Sequence, residues 1–138
     1  MNRSDLKKLA LTRLREAKVL LLNGEYSGAY YLAGYVVECG LKACIAKQTK
    51  RFDFPDRKTV VDSYTHDLSV LVRVAGLQPS LDLEIQRDQQ GFGRCWSVVK
   101  EWTEQHRYRI IDQKTAEDMI EAISDAKHGV LKWLRHHW

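Results

Sequence analysis

From Leu6 onward the apolar residues Leu9, Ala10, Leu14, Ala17, Leu20 and Leu21 return every three or four positions, which is one face of an α-helix. Ser4 is its predicted N-cap and Asn23-Gly24 its stop. A second helix is predicted from about Tyr26 to Lys47. It is apolar around most of its circumference (Tyr30, Tyr31, Leu32, Tyr35, Val36, Val37, Leu41, Ile45), as expected of a helix surrounded by others. Gly28, Gly34 and Gly40 in this helix cost propensity, and together with the small Ala29 and Ala33 the expected return is close approach of a neighbour. The helical period lapses from Gln48 to Tyr64, where Pro55 interrupts and Lys47 to Lys58 holds five basic and two acidic residues. This segment reads as a long basic loop around Arg51, Arg57 and Lys58, with Val60 and Val61 as at most a short extended piece.

Thr65 is the predicted cap of a short helix carrying Leu68, Leu71, Val72 and Ala75, closed by Gly76 and Pro79. Leu81 to Trp102 reads as a helix bent or split at Gly91-Phe92-Gly93. A last helix is predicted from Thr115, whose spacing to Asp118 resembles a capping box. Its buried stripe is Met119, Ile120, Ile123, Ala126, Val130, Leu131 and Leu134. No segment alternates with period two for long enough to require a strand. The expected architecture is all-α, an antiparallel four- to five-helix bundle forming one domain over 1–138.

Composition adjusts this picture only slightly. With 138 residues, 44% apolar and 29% charged, the chain suits one core burying about 68% of the unfolded surface, with no disordered tail. Met1 leads into Asn2, Arg3, Ser4 and Asp5 without an apolar segment, so no secretory signal is expected and the expected location is cytoplasmic. The apolar run Ala29 to Ala46 carries Glu38 and Lys42, each costing about 2.5–3.5 kcal/mol at a bilayer centre, so a buried helix is expected and no membrane partner. Cys39, Cys44 and Cys95 show no metal or paired-thiol spacing and read as core thiols. A net charge of +4 admits a polyanionic partner. Phosphate-loop, dinucleotide-fingerprint, zinc-protease and serine-elbow motifs are all missing, and neither a metal nor a cofactor is expected.

The candidate chemistry lies in three places. Glu38 and Lys42 are four residues apart in the favourable order, either as a structural ion pair or lining a polar cleft. His66 is predicted in the first turn of its helix, where the dipole would disfavour protonation, as a packing residue or a site residue. Arg107, Tyr108 and Arg109 follow His106 in the last connection. They could hold a phosphate by forked hydrogen bonds while a base stacks on the tyrosine, or could anchor the loop. His136 and His137 point about 100° apart on a helix and do not form an i, i+4 metal pair.

Tyr26-x-x-Ala29-x-Tyr31-Leu32-x-x-Tyr35-x-x-Glu38-x-x-Leu41-Lys42-Ala43, then Thr65-His66-Asp67-Leu68-x-x-Leu71, then Arg107-Tyr108 before a final helix, together resemble the HEPN domain over nearly the whole chain. The resemblance implies a helical bundle that is usually a homodimer and is found beside a nucleotidyltransferase partner in prokaryotic toxin–antitoxin and defence modules. Many such domains are metal-independent ribonucleases with an Arg-x4-6-His motif. Here no arginine precedes a histidine at that spacing; eight residues separate Arg57 from His66.

The expected function is therefore a binding and partner module for nucleotide or RNA phosphate, with Glu38, Lys42, His66, Arg107, Tyr108 and Arg109 at the site. The alternatives are a ribonuclease toxin with a rearranged site, catalytic candidates His66 and Arg107, and a purely structural dimerisation domain. The aromatic stretch of Phe92, Trp96 and Trp102 adds to the expectation of a dimer, as apolar surface beyond what one small bundle covers.

Overall fold

The computed structural model describes residues 1–49 and 54–138; Arg51 of the basic segment lies outside them. Helix α1 (Arg3–Leu22) and helix α2 (Tyr26–Gln48) form an antiparallel hairpin whose turn is closed by Gly24 at φ 77°. Six further helices follow: α3 (Arg57–Asp62), α4 (Leu68–Val74), α5 (Gln78–Arg87), α6 (Phe92–Val99), α7 (Gln113–Ser124) and α8 (Val130–Arg135). A 3-10 helix over Glu104–Tyr108 lies between α6 and α7. No strand is present among the described residues, and no helix there is long and apolar enough to cross a membrane.

The structure confirms the central position of α2. It buries Ala29, Tyr30, Ala33, Val36, Val37, Leu41, Cys44 and Ile45 against α1, α4, α7, α8 and the 3-10 helix. Full burial of side chains such as Leu41 or Ile45 is worth about 1.5–3 kcal/mol each. Cys39 and Cys44 are core thiols, pushed up to about 11 by burial, and so are poor nucleophiles.

Several local expectations are corrected. The cap of α1 is Asn2, whose side chain accepts from Asp5 N–H at 2.9 Å while Asp5 answers in a capping box, so Ser4 lies inside the helix. The basic loop contains α3, and Val60 and Val61 are helical within it. Pro79, read as the end of the preceding helix, sits in the first turn of α5, where its missing N–H costs nothing. The last helix is two: α7 starts from an Asp112 cap rather than Thr115, and the chain breaks at Asp125 before α8. Finally, Phe92, Trp96 and Trp102 are all buried within one chain, which removes the aromatic reason for expecting a dimer.

Four aspartates hold the turns. Asp56 accepts from Thr59, Asp112 from Thr115, and Asp125 from the His128 and Lys127 N–H groups. Asp88 accepts from Phe92 and Gly91 N–H, with the His128 ring 2.6 Å away. These hydrogen bonds hold all four carboxyls below the usual aspartate value of 3.8. A folded value below the unfolded one means that the contribution is complete above about pH 4 and is lost as pH falls through the depressed values. The urea midpoint should therefore fall progressively over the acid range below about pH 4. A flat midpoint across that interval would show that the four caps contribute nothing.

Candidate functional site

Side chains from α2, the segment ahead of α4 and the 3-10 helix meet beside the first half of α2. Glu38 is the centre, only 4% exposed in the middle of α2. A carboxylate there is tolerable only if neutralised. Lys42 Nζ donates to Glu38 Oε1 at 2.9 Å, and His66 Nδ1 lies 3.1 and 3.0 Å from the two carboxylate oxygens. The other ring nitrogen, Nε2, faces Glu104 Oε2 at 3.3 Å. A ring protonated on both nitrogens can donate to both carboxylates, whereas a neutral ring can donate to only one.

The structure corrects the placement of His66. Asp67, not Thr65, caps α4 through the Val70 N–H at 3.1 Å, so His66 stands outside the helix and the dipole argument for a neutral ring does not apply. Thr65 accepts instead from Asp67 N–H, closing the turn that aims His66 at α2.

An aromatic wall backs the cluster. Tyr31 and Tyr35 share a hydroxyl–hydroxyl hydrogen bond of 3.0 Å, and Tyr35 meets the His66 ring edge-on at 6.1 Å. Burial, then the Tyr31 hydrogen bond, pushes the Tyr35 hydroxyl well above the ordinary phenol range. Trp102 packs on both tyrosines and donates from Nε1 to the Tyr31 carbonyl at 3.2 Å. A surface groove of about 330 Å³ opens here, lined in part by His66, Lys100, Trp102, Thr103 and Glu104.

Two anchors to α2 aim the arginine-bearing turn. His106 is buried, accepts Thr103 N–H at Nδ1 (3.0 Å) and packs on Tyr30 at 4.9 Å between ring centres. Beyond the turn, Ile111 N–H donates to Ser27 Oγ at 2.9 Å. Arg107, Tyr108 and Arg109 point outward between these anchors. Tyr108 is 74% exposed, and the Arg107 guanidinium lies over its ring at 4.7 Å. Arg107 is held more firmly protonated by Tyr108 first, with Tyr31 and Glu104 close enough to add, which ties the turn to the Glu38 cluster. Neither Arg107 nor Arg109 has a carboxylate at ion-pair distance among the described residues.

The six residues singled out in the sequence thus form two adjoining groups. Glu38, Lys42 and His66 make a nearly closed polar knot; Arg107, Tyr108 and Arg109 make an open cationic turn. Sequence reasoning missed Glu104, Trp102 and the anchoring role of His106; the only signal was the Thr103-x-x-His106 spacing that starts the turn.

A family model described as HEPN domain matches residues 4–137. No match was found among curated proteins or among solved structures.

Proposed function

We propose that this chain, which belongs to the HEPN domain family, is a binding module that holds RNA or nucleotide phosphates on the Arg107–Tyr108–Arg109 turn. The observation that supports this is the exposure of three neighbours on one rigidly anchored turn, with both guanidinium groups free of carboxylate partners among the described residues. Planar guanidinium donors match phosphate geometry, and an exposed tyrosine offers a stacking face worth about 1–3 kcal/mol per base. Glu38, Lys42 and His66 serve as the scaffold that holds the groove's wall. Family membership alone carries the further proposals of a homodimer and of a nucleotidyltransferase partner in a toxin–antitoxin or defence setting.

The ribonuclease alternative has one observation in its favour: Glu38 orients His66 as a carboxylate orients a catalytic imidazole. Against it, the nitrogen that would exchange a proton with substrate already faces Glu104. Fluorescence anisotropy with a labelled oligoribonucleotide separates the two. Affinity should fall steeply between about 50 and 200 mM salt, and Arg107→Ala with Arg109→Ala should weaken binding and reduce the salt slope by about 1.4, at roughly 0.7 per phosphate contact. Unchanged affinity in that variant would sink the proposal. Cleavage in EDTA that is abolished by His66→Ala would replace it with the enzyme.

A further inference from the structure

We propose that the far end of the bundle, where the start of α1, the end of α2 and α8 converge, is a second phosphate-contacting surface for RNA too long for the Arg107–Arg109 turn. It rests on the RNA reading above. Three elements bring cations together here. The Arg3 guanidinium donates to the Trp138 carbonyl, while Lys7 Nζ lies 5.4 Å and the Arg135 guanidinium carbon 6.0 Å from the Trp138 ring centre. Arg3 and Lys47 are both close enough to Cys44 for their charges to act on its thiol, which joins the end of α2 to the same patch. Arg3, Lys7 and Lys8 line a shallow depression of about 410 Å³ with Ser4 and Leu11.

Lys8, Lys47 and Arg135 are exposed, and none of these three, nor Lys7, has a carboxylate at ion-pair distance among the described residues, whereas the Arg3 guanidinium is taken up by the Trp138 main-chain oxygen. The acid on the same stretch of α1, Asp5, is engaged in the capping box with Asn2.

Helix electrostatics accounts for only part of this patch. Lys47 and Arg135 sit in the last turns of α2 and α8, where a cation complements the dipole. Lys7 and Lys8 stand in the second turn of α1, where the helix dipole gives a cation no support, and no ion pair compensates them among the described residues. Uncompensated cations from three elements form the footprint of a polyanion. From Tyr31, beside Arg107, to Lys47 the rise along α2 is about 24 Å, so a dinucleotide on the turn does not reach this end. A strand of about 16 nucleotides, the upper range for a single-strand-binding fold, does.

The test compares a 5′-phosphorylated dinucleotide with a 16-nucleotide oligoribonucleotide of about that length, by anisotropy at several salt concentrations. In the variant Lys8→Ala, Lys47→Ala, Arg135→Ala, affinity for the long probe should fall at least tenfold and its salt slope by about 2, with dinucleotide binding unchanged. Lys8→Ala with Lys47→Ala leaves the Trp138 packing intact and should lower the slope by about 1.4, which separates charge loss from misfolding. Long-probe binding that responds to Arg107→Ala and Arg109→Ala but not to either end variant would overturn this inference and leave the turn's role standing. A wild-type chain that binds neither probe would overturn both.

Discussion

Gly34→Ala should lower the thermal midpoint by about 7–14 °C, the reverse of what adding alanine to a helix normally does. A Cβ built at Gly34 comes closer than 3.0 Å to three atoms of the Trp102 indole. Neither side can yield cheaply. Gly34 is fixed in the middle of α2, and Trp102 is 2% exposed, wedged against Tyr31 and Tyr35 and bonded to the Tyr31 carbonyl. Expelling the indole forfeits about 3–5 kcal/mol of core packing, against about 1 kcal/mol gained in helix propensity, so a net loss of about 2–4 kcal/mol is expected. Gly28→Ala is the internal control. There the new methyl meets only the end of the Leu20 side chain at 3.3 Å, which can rotate aside, and stability should rise by up to about 1 kcal/mol. Thermal melts of both variants, with tryptophan emission to report exposure of Trp102, decide the matter. A Gly34→Ala protein as stable as wild type would mean that the indole is not held as described.

Glu38→Ala should cost about 2–3 kcal/mol, read as a drop in the urea midpoint. The carboxylate is the shared acceptor for Lys42 and His66 and is the buried member of the knot. Its removal leaves two cation-capable groups facing a space that cannot solvate them well. Both partners retain some solvent access, which keeps the figure below the upper range for a fully buried pair. Lys42→Met should cost no more than about 1 kcal/mol, because Glu38 keeps the imidazole and the lysine is far less buried than the carboxylate it pairs with. Equal effects from the two substitutions would show that Glu38 does not organise the cluster. RNA affinity should fall in Glu38→Ala only as far as the groove loosens, since the phosphate contacts are assigned to Arg107 and Arg109.

Local boundaries reveal why parts of the fold were hard to read. The N-caps chosen from sequence, Ser4, Thr65 and Thr115, each lie two or three residues from the true caps Asn2, Asp67 and Asp112. Both members of each pair have side-chain oxygens suited to capping, and only the backbone path decides which oxygen meets the free N–H groups. Helix α3 escaped because it has six residues, buries none of them and contains two β-branched valines, so no apolar stripe announces it. The break between α7 and α8 was hidden for the opposite reason. The apolar residues on either side fall in helical register by chance, while Gly129 packs so closely on the Asp125 and Ile123 carbonyls that a side chain would clash with backbone.

Spacing along the chain is enough to give the helical class, the α1–α2 hairpin, the central place of α2 and the pairing of Glu38 with Lys42. All of these follow from spacings of three and four residues that a helix converts directly into neighbourhood. Packing in three dimensions settles that His66 closes on Glu38 across 28 positions of chain, that Glu104 stands at its other nitrogen, and that Trp102 fills the place left empty at Gly34. It also settles that Arg107, Tyr108 and Arg109 face outward while His106 holds their turn to α2. Contacts between distant segments depend on how whole helices pack, and packing is set by the combined shape of many buried side chains rather than by any short run of residues.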